Sequence, residues 1–109
     1  LLVTGATGGI GREICIYFSN IGYKVIGLYN KNKETADFLS EKYGVATYQV
    51  DISNQQGVSL ALCDIQKKYG KISVVINSAG VTKRGLLQDN TEQDYLDIFN
   101  VNVKGVFNI

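Results

Sequence analysis

The chain has 109 residues, the size of one domain, and its 45% apolar and 19% charged residues fit a globular fold and not a disordered one. Eleven basic residues against ten acidic ones leave a formal charge of +1, without the electrostatic footprint of a nucleic-acid binder. Histidine is absent and cysteine occurs twice, which excludes histidine triads, histidine metal ligands, zinc clusters and disulfide frameworks; no metal site is expected.

Leu1 to Val3 reads as a short buried strand running into a glycine-rich turn. A helix follows, with Ile10, Ile14, Phe18 and Ile21 as its apolar stripe. Lys24 to Tyr29 is the second strand, and about Asn32 to Tyr43, carrying Phe38 and Leu39, the second helix. Val45 to Val50 is the third strand, and about Asn54 to Tyr69, striped by Val58, Ala61, Leu62, Ile65 and Tyr69, the third helix. Ile72 to Asn77 completes the strands, each a run of Val and Ile expected to be covered on both faces. Gly22, Gly44 and Gly70 stand just past helix ends.

From Thr91 the pattern is helical again, with Thr91 as N-cap and Glu92 and Asp94 in the first turn. Its stripe is Tyr95, Ile98, Phe99, Asn102 and Val106, and apolar residues off that stripe predict a helix buried all round. Cys15 and Cys63 lie in apolar-periodic stretches and read as small buried hydrophobes in a reducing, cytoplasmic setting. No apolar run approaches the ~20 residues of a membrane span, and no basic amphipathic helix points to a membrane surface. The first residues read as a strand in progress and Val106 to Ile109 as a helix without a stop, so a piece incomplete at both ends is expected. Alternating strands and helices predict an α/β fold: the N-terminal half of a doubly wound parallel sheet, in strand order 3-2-1-4.

The turn Thr4-Gly5-Ala6-Thr7-Gly8-Gly9-Ile10-Gly11 lies between the first strand and first helix. Gly5 permits the tight turn, Gly9 lets a diphosphate approach the backbone, and Gly11 lets the helix pack closely on the sheet. The free N–H groups and positive end of that helix hold the anion. A P-loop is excluded, since no Gly-Lys-Ser/Thr follows. Ligands in such sheets bind outside the carboxyl ends of the strands, where Gly5, Asp51 and Asn77 all fall. The competing readings make Asp51 a turn residue ahead of the third helix and Asn77 a tie between strand ends.

The spacing Thr4-Gly5-x-x-x-Gly9-x-Gly11 resembles the short-chain dehydrogenase/reductase motif, and Asn77-Ser78-Ala79-Gly80 is similar to that family's Asn-Asn-Ala-Gly, with Ser78 as the departure. Val50-Asp51-Ile52 stands where the family places an Asp beside the adenine ring. The resemblance spans the whole chain and implies a Rossmann-type NAD(P)-binding domain over residues 1–109. It also implies a cofactor site of Gly5, Thr7, Gly9, Ile10, Gly11, Tyr29, Asn30, Lys31, Asp51, Ile52, Asn77, Ala79 and Gly80.

The end of the second strand, Leu28-Tyr29-Asn30-Lys31-Asn32-Lys33, has no acid until Glu34. A carboxylate there would bind the ribose of NAD, whereas Lys31 or Lys33 would attract a 2′-phosphate, so NADP(H) is the expected cofactor. The competing reading has these lysines only solvating a loop. A methyltransferase would also want an acid there, which makes that reading poor. Tyr29 to Lys33 matches Tyr-x-x-x-Lys but sits at the adenosine end and off a helical face, so it is rejected as a catalytic pair.

An amide on an apolar stripe is costly unless satisfied. By resemblance, Asn102 is the Asn of the family's Asn-Ser-Tyr-Lys tetrad, helping hold a water beside the catalytic Lys. The competing readings are a structural Asn bonded to nearby backbone, and Asn100 as the residue in question. The family's Ser, Tyr and Lys have no counterparts in these residues. The resemblance is strongest to reductases of 3-oxoacyl thioesters, linked to acyl carrier protein or CoA. It implies NADPH-dependent reduction in a full-length homo-oligomer, often a tetramer, with a non-catalytic NAD(P)-binding sensor as the alternative. Lys83 and Arg84 are either solvated or face a phosphopantetheine-bearing partner.

Overall fold

A computed structural model describes residues 1–109. Its elements are β1 (Leu2–Thr4), α1 (Gly9–Asn20), β2 (Ile26–Tyr29), α2 (Lys33–Tyr43), β3 (Ala46–Gln49), α3 (Gln55–Tyr69) and β4 (Val75–Asn77). A 3₁₀ turn at Leu87–Asp89 then leads to α4 (Glu92–Phe99), a π-helical segment at Asn100–Lys104 and α5 (Gly105–Asn108), which together form one continuous helical rod. The four strands are parallel in the order β3-β2-β1-β4, as expected from the alternation. Leu2 pairs with both Ile26 and Val75, so β1 is central.

Successive side chains of a strand point to opposite faces, and this splits the core in two. Leu2, Ile26, Leu28, Val50, Ile52, Val58 and Ile65 pack together on the face covered by α3, with Val101 and Ile109 of the last rod against them. Val3, Ala6, Cys15, Val25, Leu39 and Val45 pack on the face covered by α1 and α2. The result is a three-layer sandwich in which the strand ends and the turns after them stand clear at one edge. No helix is long and apolar enough to cross a membrane.

Several expectations need correction. β1 is shifted by one residue and β2, β3 and β4 are shorter than their apolar runs, and only β1 and β2 are buried throughout; β3 and β4 are the edges of this sheet, so Val75 is 42% exposed. In α1 the inward face is Gly11 and Cys15, flanked by half-buried Ile14 and Phe18, while Ile10 and Ile21 point outward. In α2 Leu39 is buried and Phe38 exposed. Val58 and Ile65 do anchor α3, but Tyr69 and Cys63 lie exposed.

The last rod departs furthest. Ile98 faces the domain as expected, and Val101, Gly105 and Asn108 follow it inward at spacings of three, four and three. Tyr95, Phe99, Asn102 and Val106, expected on the buried stripe, are exposed. Only Gly105 of this rod is buried, so the helix is not covered all round.

Candidate functional site

At the carboxyl edge of the sheet lies a cleft of about 940 Å³. Its walls come from the turn after β1 (Gly5, Thr7, Gly8), the end of β2 and the turn beyond it (Leu28 to Asn32), and the loop after β3 (Val50 to Ser53). The loop after β4 (Ser78 to Arg84) and one side of the last rod (Asp94, Asp97, Ile98, Asn100, Val101) close it. The turns after all four strands therefore meet in one space, as they must where parallel strands end together.

The first turn is built by two contacts that no side chain could share. Gly5 has φ +64°, and a Cβ there would lie 2.7 Å from the Ala79 Cα. A Cβ on Gly11 would come within 2.2 Å of the Gly5 carbonyl oxygen. At Gly9 a Cβ would meet nothing within 4 Å, so that glycine borders open space. The N-cap, Gly8, has no side chain to cap the helix, and the N–H groups of Gly9, Ile10 and Gly11 find no acceptor within the chain. A helix start left in this way is suited to an anion.

Thr4 ties this turn to the end of β4. Its hydroxyl oxygen accepts the N–H groups of Ser78 and Ala79, both at 3.1 Å. This anchor was not singled out beforehand, although its position ahead of Gly5 in the motif marks it. Asp51 accepts from the Ser53 N–H at 2.9 Å and from the Ser53 hydroxyl at 2.7 Å through one oxygen, Oδ1. It is thus a turn residue and a cleft residue at once. Its neighbour Ile52 is buried, with its carbonyl taken by the Asn108 side chain at 2.8 Å.

Lys31 lies on the wall and forms no ion pair, as does Arg84. Lys33 begins α2, bonds Asp37 at 2.6 Å and is not on the wall, so of the two lysines Lys31 alone is placed to meet a ligand. Tyr29 is buried at the end of β2 while Lys33 opens a helix, consistent with their rejection as a catalytic pair. At the opposite end Asp94 bonds Lys83 and takes the N–H and hydroxyl of Thr91 in a capping box. Lys83, together with those Thr91 bonds, pulls the Asp94 carboxyl down to about 2.

Of the expected site residues, Gly5, Thr7, Tyr29, Asn30, Lys31, Asp51, Ile52, Ala79 and Gly80 line the cleft. Gly9, Ile10 and Gly11 stand beside it in the first turn of α1, and Asn77 pairs with Thr4 inside the sheet, off the wall. Asn102 is also off the wall; its amide accepts the Val81 N–H at 2.8 Å and donates to the Val81 carbonyl at 2.9 Å. Asn100, the other register, is the amide that reaches the cleft.

The chain is 35% identical over 112 residues to the 3-oxoacyl-[acyl-carrier-protein] reductase FabG of Staphylococcus aureus, a match covering 98% of this chain and 46% of that protein. It is 31% identical over 108 residues to the acetoacetyl-CoA reductase of Rhizobium meliloti, covering 99% of this chain and 45% of that one. The structure of ElxO with NADP bound superposes with a TM-score of 0.85 at 28% identity, covering 98% of this chain and 45% of that chain. The chain therefore spans a little under half the length of the curated relatives it matches. Residues 1–109 match the short chain dehydrogenase family, and on a sheet of this strand order that match makes the chain a member of it.

Proposed function

We propose that residues 1–109 are the Rossmann-type NADP(H)-binding domain of a reductase that converts a 3-oxoacyl thioester into the 3-hydroxyacyl thioester, the carrier being CoA or acyl carrier protein. The observation that carries the reading is the uncapped start of α1, where three peptide N–H groups without partners stand beside the cleft. The residues fit a dinucleotide: Gly9 leaves room at that helix start, and the wall continues past Lys31 and Asp51 to Ala79 and Gly80.

In this reading Gly5, Thr7, Gly9, Ile10 and Gly11 hold the diphosphate by backbone N–H groups and the helix dipole. Lys31, with Tyr29 and Asn30 beside it, receives the 2′-phosphate. Asp51 and Ile52 border the adenosine. Asn77, Ala79 and Gly80 carry the wall toward the nicotinamide, which supplies hydride when bound. The side chain of Asn102 is committed to Val81 on both its polar atoms, so it acts as a positioning residue that holds the loop after β4. The whole protein acts in the cytoplasm as a homo-oligomer, a tetramer by family resemblance. The relatives' printed activities on acyl-carrier-protein and CoA thioesters support the substrate class.

The test is consumption of NADPH against NADH by the whole protein with acetoacetyl-CoA. NADPH should be preferred, and Lys31→Ala should raise its KM about tenfold to a hundredfold, the effect of losing one charge-assisted bond, while sparing NADH. Equal use of both cofactors by the wild type and the variant would remove the NADP assignment. Tight cofactor binding with no turnover on any thioester would leave the sensor.

A further inference from the structure

The last rod touches two walls of the cleft from behind. Val101, Gly105 and Asn108 follow one another at spacings of four and three, so they share a stripe, and that stripe faces the loop after β3. Asn102, one residue past Val101 and so on a different side of the rod, turns instead to the loop after β4 and bonds Val81. The rod thus spans the space between the two loops and grips each.

Its grip on the loop after β3 is the tighter. Gly105 is buried directly against Ile52, and a Cβ at 105 would lie 2.6 Å from Ile52 Cδ1 and 2.7 Å from Cγ1. Rotating the end of the isoleucine does not relieve this contact, because Cγ1 is fixed by χ1, which is stiff in a β-branched residue. One turn on, the Asn108 side-chain amide donates to the Ile52 carbonyl. The peptide N–H of Ile52 has no acceptor within the chain. The same residue thus lines the cleft, offers a free donor, and has its side chain and carbonyl fixed by the last rod.

We infer that Gly105 and Asn108 are positioning residues for the adenosine end of the dinucleotide site: through Ile52 they set where the wall after β3 stands, and so how tightly an adenosine diphosphate fits. The inference rests on the cofactor reading above. A side chain at 105 displaces Ile52 and narrows or skews that end alone, and loss of the Asn108 amide frees the Ile52 carbonyl and loosens it.

The experiment measures binding of NADPH, ADP-ribose and nicotinamide mononucleotide to the whole protein by titration calorimetry or competition. The variants are Gly105→Ala, Asn108→Ala and the double variant Gly105→Ala with Ile52→Ala. Asn108→Ala should weaken ADP-ribose about threefold to tenfold, the fold-change of one neutral hydrogen bond, and Gly105→Ala about tenfold or more. Nicotinamide mononucleotide should bind both as it binds the wild type. The double variant, which removes the clashing Cγ1 and Cδ1, should recover ADP-ribose affinity relative to Gly105→Ala. Should Gly105→Ala not fold, Asn108→Ala decides alone. Unchanged ADP-ribose binding in Asn108→Ala, or equal losses for both half-ligands, overturns the inference and leaves the cofactor reading standing. A wild-type protein that binds neither NADPH nor ADP-ribose overturns both.

Discussion

Thr4 ends β1 with its side chain almost wholly buried, and its one hydroxyl oxygen takes two N–H groups from the turn after β4. Valine has the same shape without the oxygen, so Thr4→Val leaves two half-buried donors with no acceptor. At about 1–3 kcal/mol for an unsatisfied donor, a loss of about 2 kcal/mol or more is expected, with Thr4→Ser recovering most of it. Urea denaturation followed by circular dichroism measures it, and a midpoint for Thr4→Val equal to wild type would show that the two bonds carry no stability. The two cysteines illustrate what single residues disclose beforehand. Both sit in similar apolar patterns, yet Cys15 is sealed between α1 and the sheet, where burial pushes its thiol up to about 11, while Cys63 faces outward from α3. Helical periodicity is shared by a face and its margins, so pattern alone could not separate them.

At the start of α4, Asp94 closes a capping box with Thr91 and binds Lys83, which joins the loop after β4 to the helix. Its carboxyl is lowered from 3.8 to about 2, so the folded state prefers it ionised. That preference stabilises the fold fully above about pH 4 and disappears as the pH falls toward 2. Asp94→Asn, which keeps the shape and loses the charge, should melt below wild type at pH 6, with the gap closing between pH 4 and pH 2. Melting curves across that range test it, and parallel curves would contradict it. This cap was legible from Thr91 and the acids after it, because a cap is local chemistry. The rod beyond it was legible only at Ile98: the inward stripe continues through Val101, Gly105 and Asn108, whereas Tyr95, Phe99, Asn102 and Val106 are exposed. Two adjacent stripes of the same helical period both carry apolar residues here, so the pattern alone does not choose between them. The signal that did exist was Gly105, since a glycine inside a helical pattern marks a close approach.

Over the whole molecule, strand order and the meeting of the loops at one edge were readable because βα alternation leaves few topologies open. What β4 and the last rod pack against was not readable from pattern. Val75, Phe99 and Phe107 are exposed, Phe107 to 82%, and Leu87 on the 3₁₀ turn reaches 86%. Apolar surface on this scale is rarely left in water. The 109-residue chain expressed by itself should therefore dimerise or aggregate at micromolar concentration, as sedimentation velocity would reveal. A monodisperse monomer that melts cooperatively would contradict this. The central place of β1 carries a consequence for biosynthesis. β1 and its glycine turn precede every other element in the chain, but the residues that Thr4 must bond lie 74 and 75 positions later. During translation the turn therefore waits, with half its wall absent, until β4 has left the ribosome and a long loop has been closed at an entropic cost. A dinucleotide that touches both sides of that gap cannot be held by the nascent chain. Cofactor capture then becomes a late event that selects finished molecules and draws the last closure forward by mass action.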